Sequence, residues 1–342
     1  MDQSNKVNVG LIGAGRIGRV HAENLAYRIP NAKLVAVADV VEQAARKLAA
    51  DLQISAIYRD AAPIMADPNI DAVIICSSTD THAQLIEDAA AAKKHIFCEK
   101  PIALDLAKID HALAAVNRAG VKLQVGFNRR FDPSFKRIRE LVATGALGQP
   151  HILRITSRDP APPPPAYVKV SGGIFLDMTI HDFDMARYLI GSEVEEVFAA
   201  GNVLVAPEIG QAGDIDTAVT TLRFANGALG VIDNSRKAVY GYDQRVEVFG
   251  SGGMAHATNK TPDNVAQSDT AGVHTALPLH FFVERYAEAY VEEMRAFIQS
   301  IVQDQPPSVT GIDARIPVVI GYAALRSSRE NRPVRLDEVD RK

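Results

Sequence analysis

The sequence predicts an α/β protein: an N-terminal domain built on a parallel sheet covered by helices, then an α/β domain with a large open, mostly antiparallel sheet. Three observations predict it. Short apolar runs alternate with helical stretches as far as Gly126, the pattern of βαβ units. Beyond that point strands follow one another and alternate apolar with polar residues, as in a sheet with only one face covered. The 342 residues exceed what one core usually serves, at roughly 150 residues per domain. The expected division is 1–125 and 126–342.

The elements follow in order. Val7 to Ile12 (VNVGLI) is an apolar strand ending in glycine, and Arg19 to Tyr27 reads as a helix. Lys33 to Ala38 is strand and Val41 to Leu52 helix. Ala72 to Cys76, His95 to Cys98 and Lys122 to Gly126 are strands, separated by helices over His82 to Ala92 and Leu106 to Ala119. Strands this uniformly apolar are buried on both faces. In the second part, His151 to Arg158, Glu195 to Val205, Thr217 to Phe224, Ala228 to Asn234 and Arg245 to Phe249 alternate. Asn226-Gly227 lies between two of them and signals a hairpin. Helices are expected over Thr179 to Ile190 and about Phe281 to Val302, the latter with Phe282, Tyr286, Tyr290, Met294, Phe297 and Ile301 on one stripe. Pro160 to Pro165 (PAPPPP) should be stiff and polyproline-like, a rigid loop rather than a docking peptide.

Composition narrows the function. Apolar residues make up 47%, charged residues 23%, and the net charge is −4. Such a chain has no electrostatic drive toward nucleic acid or anionic lipid. Cys76 and Cys98 form no CxxC pair, so neither a zinc knuckle nor a disulfide scaffold is expected. Met1 to Lys6 is polar and lacks a signal-peptide pattern, and no apolar run reaches the roughly 20 residues of a membrane span. A cytoplasmic location is the expectation.

Gly13-Ala14-Gly15-Arg16-Ile17-Gly18 fits G-x-G-x-x-G directly after a strand and at the opening of a helix, the context in which the motif binds a dinucleotide. Gly13 allows the tight turn, Gly15 lets the backbone approach a pyrophosphate, and Gly18 lets helix and strand pack closely. The helix N-terminus that follows offers free N–H groups and a partial positive charge to the phosphates, and Arg16 and Ile17 within the motif are candidate cofactor-binding residues. The second strand ends at Asp39, 21 residues after Gly18. A carboxylate there accepts from ribose hydroxyls and repels a 2′-phosphate, which selects NAD over NADP. The alternative is a glycine turn with no ligand.

Two segments carry candidate chemistry. Cys98-Glu99-Lys100-Pro101 closes the fourth parallel strand, where ligands of open α/β sheets bind. Lys100 points into that cleft or, alternatively, pairs with Glu99 at the surface; Pro101 is a candidate for a cis bond. In Gly172 to Asp182, Asp177 and His181 are four apart and share a helical face if the helix begins early enough. Histidine is suited to taking a hydroxyl proton near neutral pH. The pair could also be structural, or could supply two metal ligands. No nearby residue pattern supplies the third ligand of a catalytic zinc, so no metal is expected.

The GxGxxG–Asp39 block, Glu99-Lys100-Pro101, Gly126-Phe127-Asn128-Arg129-Arg130-Phe131 and Asp177…His181, in this order, resemble the Gfo/Idh/MocA oxidoreductase family over nearly the whole chain. Ser157-Arg158-Asp159-Pro160, Ile180 to Asp184 and Tyr240-Gly241-Tyr242-Asp243 are most similar to its bacterial inositol-oxidising members. The resemblance implies a Rossmann domain and a sheet used for oligomerisation, with a homotetramer expected. It implies a catalytic group of Lys100, Asp177 and His181, and substrate contacts from Arg129, Asp159 and Tyr242. It also implies Ser77, Thr79, His82 and Glu99 as cofactor neighbours, although His82 could simply start a helix. The expected reaction is NAD-dependent oxidation of a secondary hydroxyl on a cyclic polyol, foremost myo-inositol to 2-keto-myo-inositol. Competing expectations are oxidation of scyllo-inositol or of a pyranose, and a non-catalytic dinucleotide-binding sensor.

Overall fold

A computed structural model describes residues 6–340; most of the polar start, Met1 to Lys6, lies outside the described residues. The chain divides into two compact units, Met1–Phe131 with Glu288–Ile316, and Asp132–Ala287 with Pro317–Lys342.

The first unit is a six-stranded parallel sheet. Its strands are β1 (Val7–Ile12), β2 (Ala32–Ala38), β3 (Ala56–Tyr58), β4 (Ala72–Ile75), β5 (His95–Glu99) and β6 (Leu123–Gly126), in the order β3-β2-β1-β4-β5-β6. Helices α1 (Arg16–Tyr27), α2 (Glu42–Leu52), α3 (Ala62–Ala66), α4 (Thr79–Ala91) and α5 (Leu106–Ala119) make the crossovers. The order reverses between β1 and β4, which opens a crevice beyond the strands' carboxyl ends. The central β4 is buried at all four positions, as its apolar sequence requires. Helix α5 starts on Asp105, whose carboxylate accepts from the Ala107 and Lys108 amides, and ends on Gly120 at φ 68°. The first is a standard helix start and the second a standard helix stop.

The expected boundary near residue 125 differs from the structure in one respect. The first unit continues to Phe131 and takes back residues 288–316. The helix expected over about Phe281 to Val302, within 126–342, is broken at Tyr286 into Phe282–Arg285 and the longer Ala287–Val302. Its buried Met294, Phe297 and Ile298 instead complete the core around Leu25, Leu48 and Phe97. The apolar stripe was legible, but the surface it covers was not.

The second unit opens with α6 (Pro133–Ala143) and strand β7 (Pro150–Arg158). Three helices follow, α7 (Pro165–Ser171), α8 (Gly173–Asp177) and α9 (Ile180–Ile190). Next come β8 (Val194–Asn202), the short α10 (Pro207–Gln211), β9 (Thr217–Phe224), β10 (Leu229–Ser235), β11 (Asp243–Gly250) and β12 (Gly253–Ala257). A two-stranded hairpin, β13 (Ala266–Asp269) and β14 (Gly272–Thr275), precedes α11 (Phe282–Arg285). The long helix Gly311–Glu330 and strand Val334–Arg335 close the chain. The large sheet runs β12-β11-β7-β10-β9-β8 and ends on Val334–Arg335. Every pairing is antiparallel except β7 with β10. Asn226-Gly227 turns β9 into β10, with Gly227 at φ 87°.

Leu153, Ile155, Leu222, Ile232, Val246 and Val248 are buried on one face, against which α9 packs. Ile152, Val219, Leu229, Phe249 and Met254 are exposed on the strands of the same sheet, as period-two alternation dictates. Among the described residues no helix is long and apolar enough to cross a membrane.

Candidate active site

In the first unit the glycine loop sits between β1 and α1. Gly13 has φ 98°, and a Cβ there would lie 2.5 Å from the Cys76 backbone. At Gly18 a Cβ would lie 2.0 Å from the Gly13 carbonyl oxygen. These glycines are required by contact with protein. Gly15 differs: it caps α1 without any side-chain hydrogen bond, and a Cβ there would meet no atom within 4 Å. The first turn of α1 at Arg16 and Ile17 carries no acidic residue. The loop therefore leaves room and backbone N–H donors at a positive helix end, which fits a diphosphate.

Asp39 follows β2. Its Oδ2 accepts the Ala14 amide at 2.6 Å and its Oδ1 the Val41 amide at 2.7 Å. The carboxylate is thus fixed against the glycine loop, and its roughly four acceptor positions allow it to hold ribose hydroxyls as well. The exposed Val40 and Val41 supply no cation for a phosphate. The residues present fit a dinucleotide without a 2′-phosphate.

At the end of β5, Glu99 accepts a hydrogen bond from buried His21 Nε2 at 2.7 Å. Glu293 lies 3.9 Å from the same nitrogen; burial, reinforced by Glu99, pushes its carboxyl well above the usual range. Glu99 is therefore engaged by α1. Lys100 is half-buried and joins Pro101 through a cis bond, as anticipated. His82 is buried in α4, its Nδ1 2.9 Å from the Pro101 carbonyl and its Nε2 3.0 Å from that of Ser77. It ties the turn after β4 to the turn after β5. Ser77 Oγ lies 2.6 Å from Thr81 Oγ1, and Thr79 is the first residue of α4. Arg129 is buried in the turn Asn128–Phe131 after β6. Cys76 and Cys98 are buried thiols pushed well above their usual range by that burial, which makes them poor nucleophiles.

In the second unit Asp177 and His181 do not share one helix. Helix α8 ends at Asp177 and α9 begins at Ile180. The Thr179 amide reaches back five residues to the Ile174 carbonyl at 2.8 Å, so the i→i−4 ladder is interrupted between them. Just beyond this break lies the buried Asn234 of β10. It accepts from the Thr179 hydroxyl at 2.9 Å and donates to Asp182 Oδ2 at 2.8 Å. These two bonds bracket His181 and fix the start of α9 against the sheet.

Asp177 is held from two sides: Tyr167 Oη donates to its Oδ1 at 2.9 Å, and Arg236 Nη1 to its Oδ2 at 3.0 Å. Burial first, then the Asp177 carboxylate, push the Tyr167 phenol up. Asp159 Oδ2 lies 3.6 Å from the same Arg236 nitrogen. Burial works against the Arg236 charge, but Asp177 and Asp159 outweigh it and hold the guanidinium above its usual range. Tyr242 is buried, its ring edge-on to Tyr286 at 6.1 Å, and its amide donates to the Leu279 carbonyl at 3.1 Å. Asp159 and Asp177 thus meet through Arg236, a residue the sequence did not single out.

Residues 7–127 match a family model described as an oxidoreductase family with an NAD-binding Rossmann fold, and residues 135–256 match a GFO/IDH/MocA C-terminal domain. The chain is 54% identical to a myo-inositol 2-dehydrogenase of Thermotoga maritima, over 97% of this chain and 99% of the relative. It is 47% identical to an inositol 2-dehydrogenase of Rhizobium meliloti, over 96% and 98%. The structure of a Lactobacillus casei scyllo-inositol dehydrogenase with bound NAD(H) and scyllo-inositol superposes with a TM-score of 0.91 at 32% identity, covering 97% of this chain and 99% of that one.

Proposed function

Because the chain belongs to the Gfo/Idh/MocA oxidoreductase family, we propose that it oxidises one secondary hydroxyl of a cyclic polyol with NAD, myo-inositol to 2-keto-myo-inositol. The observation that carries this reading is the 54% identity to a myo-inositol 2-dehydrogenase along almost the whole chain. The fixed Asp39 carboxylate and the open cradle at Gly15 are the local features that suit the cofactor.

The nicotinamide ring, when bound, accepts the hydride. The chain's own residues do the rest. Gly13 to Gly18 would hold the phosphates on backbone amides, and Asp39 would hold the ribose. His181 takes the proton from the reacting hydroxyl, as a positioned base whose helix is fixed by Asn234. Lys100 is the candidate donor that stabilises negative charge developing on a substrate oxygen as its proton leaves. Asp177 and Asp159 accept from further ring hydroxyls, with Arg129 and Tyr242 as additional polar contacts. A ring polyol presents hydroxyls on all sides, and a missing one would leave such groups unpaired.

We further propose a cytoplasmic homotetramer assembled through the large sheet. The exposed apolar row of Ile152, Val219, Leu229, Phe249 and Met254 supports burial of that face between copies, and the two unpaired thiols suit a reducing compartment.

The test is the near-ultraviolet absorbance of NADH on mixing the protein with NAD and, separately, myo-inositol, scyllo-inositol and glucose. Highest kcat/KM with myo-inositol is expected. Preference for scyllo-inositol, the substrate class of a 39% identical relative from Bacillus subtilis, would move the assignment within the cyclitols. No NADH from any ring polyol would overturn it in favour of a binding protein.

A further inference from the structure

We infer that Arg236 is a positioning residue that locks Asp159 and Asp177 into one carboxylate pair, and that this pair reads two neighbouring hydroxyls of the polyol ring. The inference rests on the polyol reading above and adds to it the element that sets substrate geometry.

The argument starts from strand register. β7 and β10 run parallel, with Arg158 opposite Ser235. The next residue of each strand, Asp159 and Arg236, therefore emerges side by side at the carboxyl ends. The Asp159 amide donates to the Ser235 carbonyl at 2.9 Å and the Arg236 amide to that of Asp216 at 2.8 Å, so both backbones are pinned. Asp177 arrives from α8, a different element, and meets the same guanidinium nitrogen. One buried cation thus fixes two carboxylates that come from separate parts of the chain, at 3.0 and 3.6 Å.

The charged and titratable groups around it include Asp159, Asp177, Asp214 and Tyr167. Asp214 Oδ1 accepts the Ile174 amide at 3.1 Å, and burial pushes its carboxyl up. Without Arg236, two half-buried carboxylates would repel one another with no cation between them, and like charges at close range in a partly buried site separate or take up a proton. The Tyr167 phenol would still donate to Asp177, but it carries no charge to hold the two acids together. The guanidinium offers one nitrogen to both acids, so its charge matters more than its fork, and lysine should replace it in part. That is unlike a bidentate site, where lysine fails.

The test uses the full-length enzyme with Arg236→Gln, Arg236→Lys and wild type. For R236Q we expect kcat/KM with the polyol to fall about 10–150-fold, the worth of a hydrogen bond to a charged group, mostly as a higher KM. R236K should recover to within about tenfold of wild type. NADH affinity by fluorescence titration should be unchanged in both variants, because Gly13 to Gly18 and Asp39 lie in the other unit. An inositol analogue lacking the hydroxyl next to the reacting carbon should be a poor substrate for wild type, and that penalty should shrink in R236Q. A folded R236Q with wild-type KM and the wild-type penalty overturns the inference. Crystal structures provide an arm that needs no substrate. Asp159 and Asp177 carboxylates that part in R236Q and stay together in R236K support it; carboxylates unmoved in R236Q overturn it even if wild type oxidises no polyol, the result that would sink the functional reading instead. Should R236Q not fold, R236K carries the test: loss of affinity for NADH as large as that for polyol would show a general structural role and overturn the inference.

Discussion

Gly15→Ala and Gly18→Ala separate binding from folding inside one six-residue loop. At Gly18 the added carbon would stand 2.0 Å from the Gly13 carbonyl oxygen and 3.4 Å from the Cys76 side chain. Backbone must move, so overpacking of about 1–3 kcal/mol or more is expected, with a lower Tm as well as weaker cofactor binding. At Gly15 φ is −69° and ψ −166°, angles open to alanine, and no atom lies within 4 Å of the new carbon. The fold should lose nothing, and the smaller entropy of the unfolded chain could add about 0.4–1 kcal/mol of stability. The methyl group would, however, occupy the approach to the helix amides. Losing one hydrogen bond from an amide to a charged phosphate is worth about 1.5–3 kcal/mol, an increase of about 10–150-fold in Kd. Differential scanning calorimetry and NADH fluorescence titration on the same samples give both quantities. A G15A protein with wild-type Tm and wild-type NADH affinity would refute the assignment of this loop to the diphosphate.

Five further outcomes are expected. Asp39→Asn removes the charge that disfavours a 2′-phosphate, so the NAD-to-NADP ratio of kcat/KM should fall at least tenfold; an unchanged ratio counts against Asp39 as the selector. Lys100→Met should lower kcat about 10²–10³-fold and His181→Ala about 10²–10⁴-fold with a lost or shifted pH-rate limb, and a His181→Ala enzyme with normal kcat and profile removes the histidine from the chemistry. Replacing Leu229 and Phe249 together by Glu on the exposed sheet face should convert the proposed tetramer to smaller species by light scattering; a wild-type protein that is already monomeric at micromolar concentration ends that proposal. Asp243 is buried and accepts from Arg245, Tyr240 and Asn259; burial works to raise its carboxyl, but these donors hold it below the usual range. Its stabilisation is therefore full above the ordinary carboxylate range and is lost as pH falls through its lowered value, so Asp243→Asn should cost about 2–4 kcal/mol near neutrality and progressively less in acid, by denaturant titration across pH.

Much of the fold was legible because its signals are local. Thr217–Phe224 and Leu106–Ala119 occupy the residues that apolar–polar alternation and the strand–helix rhythm predict. The misses are of another kind. β3 and α3 are three and five residues long, too short for any period to register. The amphipathic α6 (Pro133–Ala143) begins with an Asp132 cap and Pro133, a start signal that was present but lay beyond the boundary where the texture was judged to change. The helix Ala287–Val302 was found as a helix and placed on the wrong core, because an apolar stripe states that something covers it and not what.

The site divides along the same line. Glycine loop, Asp39, Lys100 and the cis proline are consecutive with their strands, so a motif and its position in a βα unit suffice to locate them. Asp177 and His181 were read as a pair because four residues is one helical turn, and that inference assumed an unbroken helix. The helix is broken there, and the start of the next one is tied down by Asn234, more than fifty residues further along the chain, which binds Thr179 and Asp182 on either side of His181. Arg236 was missed for the same reason. Its place beside Asp159 follows from the β7–β10 register, and parallel register between strands so distant in sequence is set by packing and not by any local pattern. Residues that bind an absent ligand through local backbone are therefore readable in advance, whereas residues that aim other side chains become visible only when the strands are paired. Arg236 belongs to the second kind, and substitutions there should move KM and stereochemical discrimination while leaving the cofactor site untouched.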